Sequence, residues 1–287
     1  MHPFRGRRRG LGRLLRRPTA LLGFVFLCVL LMALFAAEFS GHDSRAINLT
    51  AALVPPGRHV GSRWYPLGTD HLGRDIAARL AAGARISLLI GVSTTVLRAF
   101  LGTALGYCAG YYGGRVDSLV MRFADVQLAL PFLVVAIGVL AVVPASVPAI
   151  VLVLAATGWM TYGRTVRAII LSLRARPFVE AALAVGCTGR RLMSKHLLPH
   201  LYPQLLVLTS IDLARVILAE ASLSYLGLGV PATIPSWGTM IADGQQYLTT
   251  AWWVATMPGL TISLTILSIN MLGDYLRDIV DPTLRGR

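Results

Sequence analysis

A run of 38 residues without a charged side chain, from Val126 to Gly163, limits the possible folds of this sequence more than any other feature. As one α-helix it would extend for about 57 Å, roughly twice the hydrocarbon thickness of a bilayer. The run must therefore fold back on itself. Pro144 and Pro148 mark the turn, because each proline removes a helix donor. The sequence predicts two membrane spans here, the third and the fourth of the chain.

Apolar segments elsewhere bring the prediction to six spans. With 55% hydrophobic residues, 14% charged residues and a mean hydropathy of +0.65, the chain is excluded from ordinary soluble domains. The first apolar run is interpreted as an uncleaved transmembrane helix rather than a secretory signal, because it is longer than a signal core. We therefore expect an all-α integral membrane protein with six transmembrane helices. The other spans are predicted at 86–108, from Pro199 and Pro203 to about Tyr225, and at Trp252–Leu272.

The distribution of positive charge predicts the orientation. With both ends inside the cell, the inner segments hold 19 Lys and Arg residues and the outer segments six. The net charge of +14 therefore reflects topology, and nucleic acid is not an expected partner. The predicted parts are a basic cytoplasmic N-terminus at 1–19, a first transmembrane helix at 20–37, an external segment at 38–85, a core transmembrane domain at 86–272 that includes a cytoplasmic loop at 174–200, and a cytoplasmic C-terminus at 273–287.

The longest inner loop has an unusual composition between Glu180 and Pro199. Ala181 and Ala182 are strong helix formers, and their small side chains let another protein approach closely. Gly186 can take the positive φ that ends one helix and redirects the chain. Pro199 then fixes the entry into the fifth span. Composition alone also fits a solvated basic loop, so the pattern predicts two short helical pieces without fixing their role.

Motifs for catalysis are missing from the sequence. Lys195 is the only lysine and does not stand in a P-loop, so the chain cannot bind ATP by a Walker motif. His196 and His200 have the i, i+4 spacing of metal ligands, but Pro199 between them disturbs a shared helix face. We expect two interfacial histidines there. No catalytic residue, metal or cofactor bound by this chain is predicted.

The spacing Glu-Ala-Ala, three residues, Gly, nine residues and x-x-Leu-Pro resembles the EAA signature of binding-protein-dependent ABC importer permeases. The resemblance implies a coupling helix that docks on a cytoplasmic ATPase. His196 departs from the general pattern, which has Ile there, although His-x-Leu-Pro is usual in the peptide-transporting branch. The implied coupling residues are Glu180, Ala181, Ala182, Gly186, His196, Leu198 and Pro199.

Further segments between about Tyr65 and Pro282 are similar to the C-type subunits of dipeptide and oligopeptide permeases. They include Leu67-Gly-Thr-Asp70, Gly110-Tyr-Tyr-Gly-Gly114, Leu218-Ala-Glu220, Pro235-Ser-Trp237-Gly and Asn270-Met-Leu-Gly-Asp274.

This wider resemblance implies the type I ABC importer permease fold in a bacterial inner (plasma) membrane, in contact with membrane lipid. The implied partners are a second permease subunit in a heterodimer, two cytoplasmic ABC ATPase subunits that carry ATP and Mg²⁺, and an extracytoplasmic peptide-binding protein. Peptide is the implied cargo. Nickel, glutathione or another small solute is the alternative within the same branch.

Charged residues inside the predicted spans need partners or water, because an ionisable group at a helix centre costs several kcal/mol. Asp212 and Arg215 are three residues apart and can pair on one face of the fifth span, with Glu220 on nearly the same side. This face either belongs to the translocation pathway or satisfies itself as an internal ion pair. A proton-coupled transporter with Asp212 and Glu220 as its relay is the alternative from another class. Arg98 is expected to pair with an acidic residue of another span.

Two predictions concern the outer side. An Ala-rich stretch flanked by charges predicts an interfacial helix capped by Thr69 or Asp70, which contacts the binding protein or lies on the membrane. The segment from Gly227 to Tyr247 predicts an external loop with Trp237 as an interfacial aromatic. The flanking charged residues are Asp70, Arg74, Asp75, Arg79 and Arg85.

Overall fold

The computed structural model describes residues 43–231 and 233–280, without the side chains of Arg190 and of residues 278–280. The predictions for 1–19 and 20–37 lie outside the described residues. The described part contains nine α-helices of eight residues or more. They are α1 (Ile76–Tyr112), α2 (Gly114–Ala129), α3 (Phe132–Leu140), α4 (Val147–Ala156), α5 (Met160–Arg174), α6 (Pro177–Ala184), α7 (Tyr202–Tyr225), α8 (Trp237–Gln245) and α9 (Trp253–Val280).

Short elements fill two connections. A 3-10 turn at Leu49–Ala51 and an antiparallel hairpin of β1 (Arg58–Val60) and β2 (Arg63–Tyr65) precede α1. One α-helical turn, a π-helical segment and a 3-10 turn connect α6 to α7. They lie at Gly189–Arg191, Leu192–Leu197 and Leu198–Leu201.

Membrane-spanning capacity is clear for α1 and α9, which are both long and apolar enough to cross a bilayer. The pairs α2–α3 and α4–α5 meet the same standard only when each pair is taken as one span, bent by 87° and 40°. By length and composition the described residues thus provide two to four spans. The six spans and the orientation stay predictions.

The fold-back within the charge-free run is confirmed. The chain turns between α3 and α4, where the Ser146 hydroxyl accepts a hydrogen bond from the Ala149 backbone N–H and Pro148 stands in the first turn of α4. Two further breaks were not predicted. Pro131 separates α2 from α3, and residues 157–159 separate α4 from α5. Each predicted span is therefore a bent pair.

α1 differs from the prediction because the expected interfacial helix and the second span form one continuous helix of 37 residues. Its N-cap is Asp75, whose carboxylate accepts a hydrogen bond from the Ala77 N–H at 3.0 Å. The predicted caps, Thr69 and Asp70, are wrong. The Thr69 hydroxyl instead donates to the Ala51 carbonyl, and the Asp70 carboxylate accepts from the Leu72 N–H of the loop and from the Arg79 side chain of α1.

Close packing of α1 against α5 forms the centre of the structure. Gly102, Gly106 and Gly110 are buried at four-residue spacing on α1. A Cβ atom on Gly106 would overlap the backbone of Gly163 on α5. Small residues at this spacing allow two helix backbones to approach each other, as in membrane helix pairs.

Trp237 corrects a second prediction. The segment expected to be an external loop folds in part into α8, which begins with a capping box of Ser236 and Thr239. The Trp237 side chain is fully buried, and its indole N–H donates to the Leu80 carbonyl at 3.1 Å. It is therefore a core residue that connects α8 to α1, and its prediction as an interfacial aromatic is wrong.

Candidate functional site

α6 carries the first half of the loop predicted to couple the chain to an ATPase. Pro177 stands at the first helical position, where its missing N–H costs no hydrogen bond. Glu180 is exposed in the first turn, where a negative charge is favoured by the helix dipole. Val179 is buried in the cluster below. α6 is thus anchored on one face and open on the other.

The end of α6 is a glycine cap of the Schellman type. Gly186 has φ +79°, and its N–H donates to the Leu183 carbonyl at 3.0 Å. The next N–H, of Cys187, donates to the Ala182 carbonyl at 3.0 Å. These two bonds satisfy carbonyls that a helix end leaves open. The predicted positive φ at Gly186 is confirmed.

Two apolar side chains at this tip were missed by the sequence prediction. Leu183 is 52% exposed and Val185 is 86% exposed. Ala181 and Ala184 beside them are exposed as well. The sequence does contain an indication of this surface. Val185 stands directly before the glycine that ends the helix, where no further turn of α6 follows to cover it. Together Leu183, Ala184 and Val185 form a small apolar surface, the coupling tip.

The return path to α7 is tied to α1. Leu192 and Leu197 are buried in the cluster that also holds Val179. The Tyr107 hydroxyl of α1 donates to the Met193 carbonyl at 2.7 Å. A Cβ on Gly189 would lie 2.7 Å from the Tyr111 hydroxyl oxygen. The loop therefore follows the C-terminal end of α1.

The remaining predicted coupling residues lie on this return path. His196 ends the exposed part of the π-helical segment, and Pro199 is exposed in the 3-10 turn. Leu198 is partly buried against the same cluster as Leu197. In the structure, the motif is thus divided between the tip of α6 and the segment of short helical turns that follows it. Their role in coupling stays a prediction.

Asp212 on α7 has a different partner from the one predicted. Its Oδ1 lies 3.0 Å from Nη1 of Arg98 on α1, and the Tyr162 hydroxyl donates to Oδ2 at 3.2 Å. Arg98 also donates from Nε to the Leu154 carbonyl at 2.8 Å. The predicted pair of Asp212 with Arg215 is therefore wrong, because the buried Arg98 takes the carboxylate. Arg215 is exposed and has no ion pair with any described residue.

Glu220 is fully buried on the same side of α7, facing α1. It accepts hydrogen bonds from the Ser87 hydroxyl at 3.0 Å and the Ser224 hydroxyl at 2.7 Å. Ser87 in turn accepts from the Trp237 N–H, and Ser224 from the Val230 N–H, both at 3.3 Å. Glu220 therefore connects α7 to α1 and the start of α8.

A cavity of about 350 Å³ lies where the two bent pairs break, against the middle of α7. We call it the break cavity. Asp212 and Arg215 line it, while Glu220 does not. Of the three predicted pathway residues, the structure therefore brings two to one cavity. Other polar residues of its wall are Arg98, Gln127, Thr157 and Thr161.

A second charge network lies before α1, at the helix end opposite the coupling tip. Asp70 is buried beside the guanidinium groups of Arg74, at 2.6 Å, and Arg79. Both arginines also reach Asp243 of α8, at 3.3 and 3.0 Å. Burial raises the pKa of Asp70, but the two guanidinium charges and the Arg74 N–H outweigh burial and hold this pKa below its ordinary value. The network joins the loop before α1 to α1 and α8.

The chain is similar to known transport proteins in sequence and in fold. Residues 102–286 match the family described as binding-protein-dependent transport system inner membrane component. The oligopeptide transport system permease protein OppC of Bacillus subtilis (strain 168) is 40% identical over 267 residues, which are 93% of this chain and 86% of the relative. The di/tripeptide transport system permease protein DppC of Pseudomonas aeruginosa (strain UCBPP-PA14) is 39% identical over 93% of this chain and 89% of its own length.

The fold is similar to a solved structure of the MetNI methionine ABC transporter in inward facing conformations. The TM-score is 0.55 at 18% identity, over 71% of this chain and 96% of the other. At this identity the likeness concerns the fold alone. With the family match and the relatives, it leads to one conclusion: the chain belongs to the family of binding-protein-dependent transport system inner membrane components.

Proposed function

We propose that this chain is a permease subunit of an ATP-driven ABC importer that moves peptides into the cell. The coupling tip is the observation that carries the proposal. Leu183 and Val185 expose apolar side chains on a helix whose other face is anchored by Val179. An exposed apolar surface on a rigid support is typical of a protein interface. The groove of a cytoplasmic ATPase is the surface that it fits.

The coupling role extends to the predicted motif residues. Gly186 holds the tip in place, and the Tyr107 contact with the return path connects the tip to α1. A push on the tip would thus be passed to a helix that crosses the membrane. The residues proposed to act in coupling are Glu180, Ala181, Ala182, Gly186, His196, Leu198 and Pro199.

The partners follow from this assignment. ATP hydrolysis, with its Mg²⁺, belongs to two separate cytoplasmic subunits, and this chain is a transport component without a cofactor of its own. A second permease subunit completes the pathway, and an extracytoplasmic peptide-binding protein delivers the cargo. The names of the relatives, an oligopeptide and a di/tripeptide permease, support peptide as the cargo.

The topology is proposed as six spans with both ends in the cytoplasm of a bacterial cell. In this arrangement the charge network around Asp70 faces outward, since it lies at the opposite end of α1 from the coupling tip. The core domain at 86–272 holds the other five spans and the coupling loop at 174–200. The other proposed parts are the cytoplasmic tail at 1–19, the first span at 20–37, the external segment at 38–85 and the C-terminal segment at 273–287.

The translocation pathway is proposed to run past the break cavity. Asp212 and Arg215 belong to it, whereas Glu220 supports it from within the protein. Asp212 is engaged by Arg98 and Tyr162, and Glu220 by two serines, so both carboxylates are satisfied by protein contacts. These contacts favour a structural role over a proton relay.

A charge placed on the coupling tip tests the proposal. In the assembled transporter in proteoliposomes, Val185→Glu is expected to lower ATP-driven peptide uptake at least tenfold, because a charge buried at an interface is costly. The matched control is Val142→Glu in the turn between α3 and α4, where the side chain is 84% exposed. It should leave uptake near the wild-type level.

Two outcomes contradict the proposal. If the Val185→Glu variant keeps full ATP-driven uptake and still binds the ATPase subunits, the tip is not a docking surface. Wild-type uptake that continues without ATP and stops when the proton gradient is removed would identify a secondary transporter instead.

A further inference from the structure

The break cavity carries an unbalanced positive charge. Arg98 and Asp212 neutralise each other in its wall at 3.0 Å. Arg215 also lines the cavity, one helical turn further along α7, and has no ion pair or hydrogen bond with any described residue. A cation in a membrane helix is costly unless it meets an anion or water. The cavity is therefore suited to a negatively charged group.

The backbone adds to this preference. α5, a helix of 15 residues, begins at Met160 in the cavity wall, and its N-cap residue Trp159 makes no side-chain capping bond. The start of a helix presents N–H groups and a partial positive charge, which favour anions. The positive guanidinium of Arg215 and the partially positive N-terminus of α5 thus both border the break cavity.

We propose that the break cavity receives the C-terminal carboxylate of a passing peptide. The Arg215 guanidinium binds the two carboxylate oxygens, because its planar fork matches them. A volume of about 350 Å³ is at the lower end for small-ligand sites and fits one end of a peptide rather than a long chain. This inference rests on the proposed function, since it requires a peptide to cross here.

The test compares peptides that differ only at the C-terminus. The assembled wild-type transporter, with its binding protein, is reconstituted in proteoliposomes and supplied with a free-acid peptide or the same peptide amidated. Calorimetry first selects a pair that the binding protein holds with equal affinity. Uptake is then measured for wild type, Arg215→Gln, Arg215→Lys and the control Arg122→Gln. Arg122 is exposed on α2 and does not line the cavity.

Wild type should prefer the free-acid peptide. Arg215→Gln should reduce uptake of the free acid at least about tenfold, the factor for loss of a charge-assisted hydrogen bond, and leave uptake of the amide unchanged. Arg215→Lys should keep part of the preference, since it keeps the charge without the fork. The control should behave as wild type.

Equal loss for both peptides would overturn the inference, because Arg215 would then serve assembly or a contact with the second permease subunit. Retained preference in Arg215→Gln would overturn it too. Absence of ATP-driven uptake of either peptide by the wild type would instead refute the proposed function itself.

Discussion

Replacing one member of the buried Arg98–Asp212 pair should destabilise the protein far more than replacing both. Asp212→Asn leaves the Arg98 guanidinium without a counter-charge in a site where its side chain is only 8% exposed. Arg98→Met likewise leaves the buried Asp212 carboxylate without a counter-charge. Removal of one partner of a buried pair costs about 3–5 kcal/mol. The two single effects therefore sum to about 6–10 kcal/mol.

The double variant should lose much less than this sum. Neither charge remains, and the Tyr162 hydroxyl can still donate to the Asn oxygen that replaces Oδ2. The Leu154 carbonyl loses its bond from Arg98 Nε but keeps the bond from the Thr157 hydroxyl at 3.2 Å, so this loss costs only about 1 kcal/mol. The coupling between the two positions should thus be several kcal/mol.

The free energy of unfolding can be measured for the four proteins by titration with SDS in mixed micelles, followed by circular dichroism. Arg122→Met is the control, because an exposed cation outside the break cavity and without an ion pair among the described residues should change stability by less than about 0.5 kcal/mol. If the effects of the two single substitutions simply add in the double variant, the pair does not stabilise the fold as described.

Three further predictions concern the stability of the folded protein. Gly106→Ala should lower the melting temperature in detergent, since its Cβ overlaps the α5 backbone, whereas Gly138→Ala, a helical site with open space, should leave it unchanged or raise it. Because the pKa of Asp70 is lowered on folding, its stabilisation is present above the ordinary value near 3.9 and is lost as pH falls through the folded pKa. The melting temperature below pH 4 should therefore fall less in Asp70→Asn than in wild type. Trp237→Phe should cost about 1 kcal/mol in unfolding free energy through the lost bond to the Leu80 carbonyl, and no change would contradict its buried role.

Features set by local backbone chemistry were predicted well from the sequence. Pro144 and Pro148 gave the turn between α3 and α4 because proline limits the backbone wherever it stands. Gly186 gave the helix end because only glycine takes a positive φ without strain. Pro131 restricts the backbone in the same way and separates α2 from α3. It was not predicted as a break, because the length of the uncharged run required only one turn.

Features set by distant contacts were predicted only in part. An acidic partner for Arg98 on another helix was expected and is confirmed, but the sequence did not identify it as Asp212. The sequence places Arg215 one turn from Asp212, yet Asp212 binds Arg98, which is 114 positions away. Helix spacing identifies neighbours on one helix and says nothing of a competitor on another. Trp237 was misplaced for a related reason, because burial by α1 depends on packing rather than on the Gly/Pro-rich sequence around it. The spacing of Gly102, Gly106 and Gly110 was a readable signal of a different contact, the packing of α1 against α5.

The length of α1 on the two sides of its closest contact has a mechanical consequence. From Gly106, where its backbone meets α5, about 45 Å of helix extends to Ile76 and only about 9 Å to Tyr112. If α1 tilted about Gly106 as a rigid rod, its two arms would therefore be unequal. A shift of about 1 Å at the short arm, beside the return path of the coupling loop, would correspond to about 5 Å at the Asp75 end. The proportions of α1 alone would thus convert a small displacement at one end into a larger one at the other.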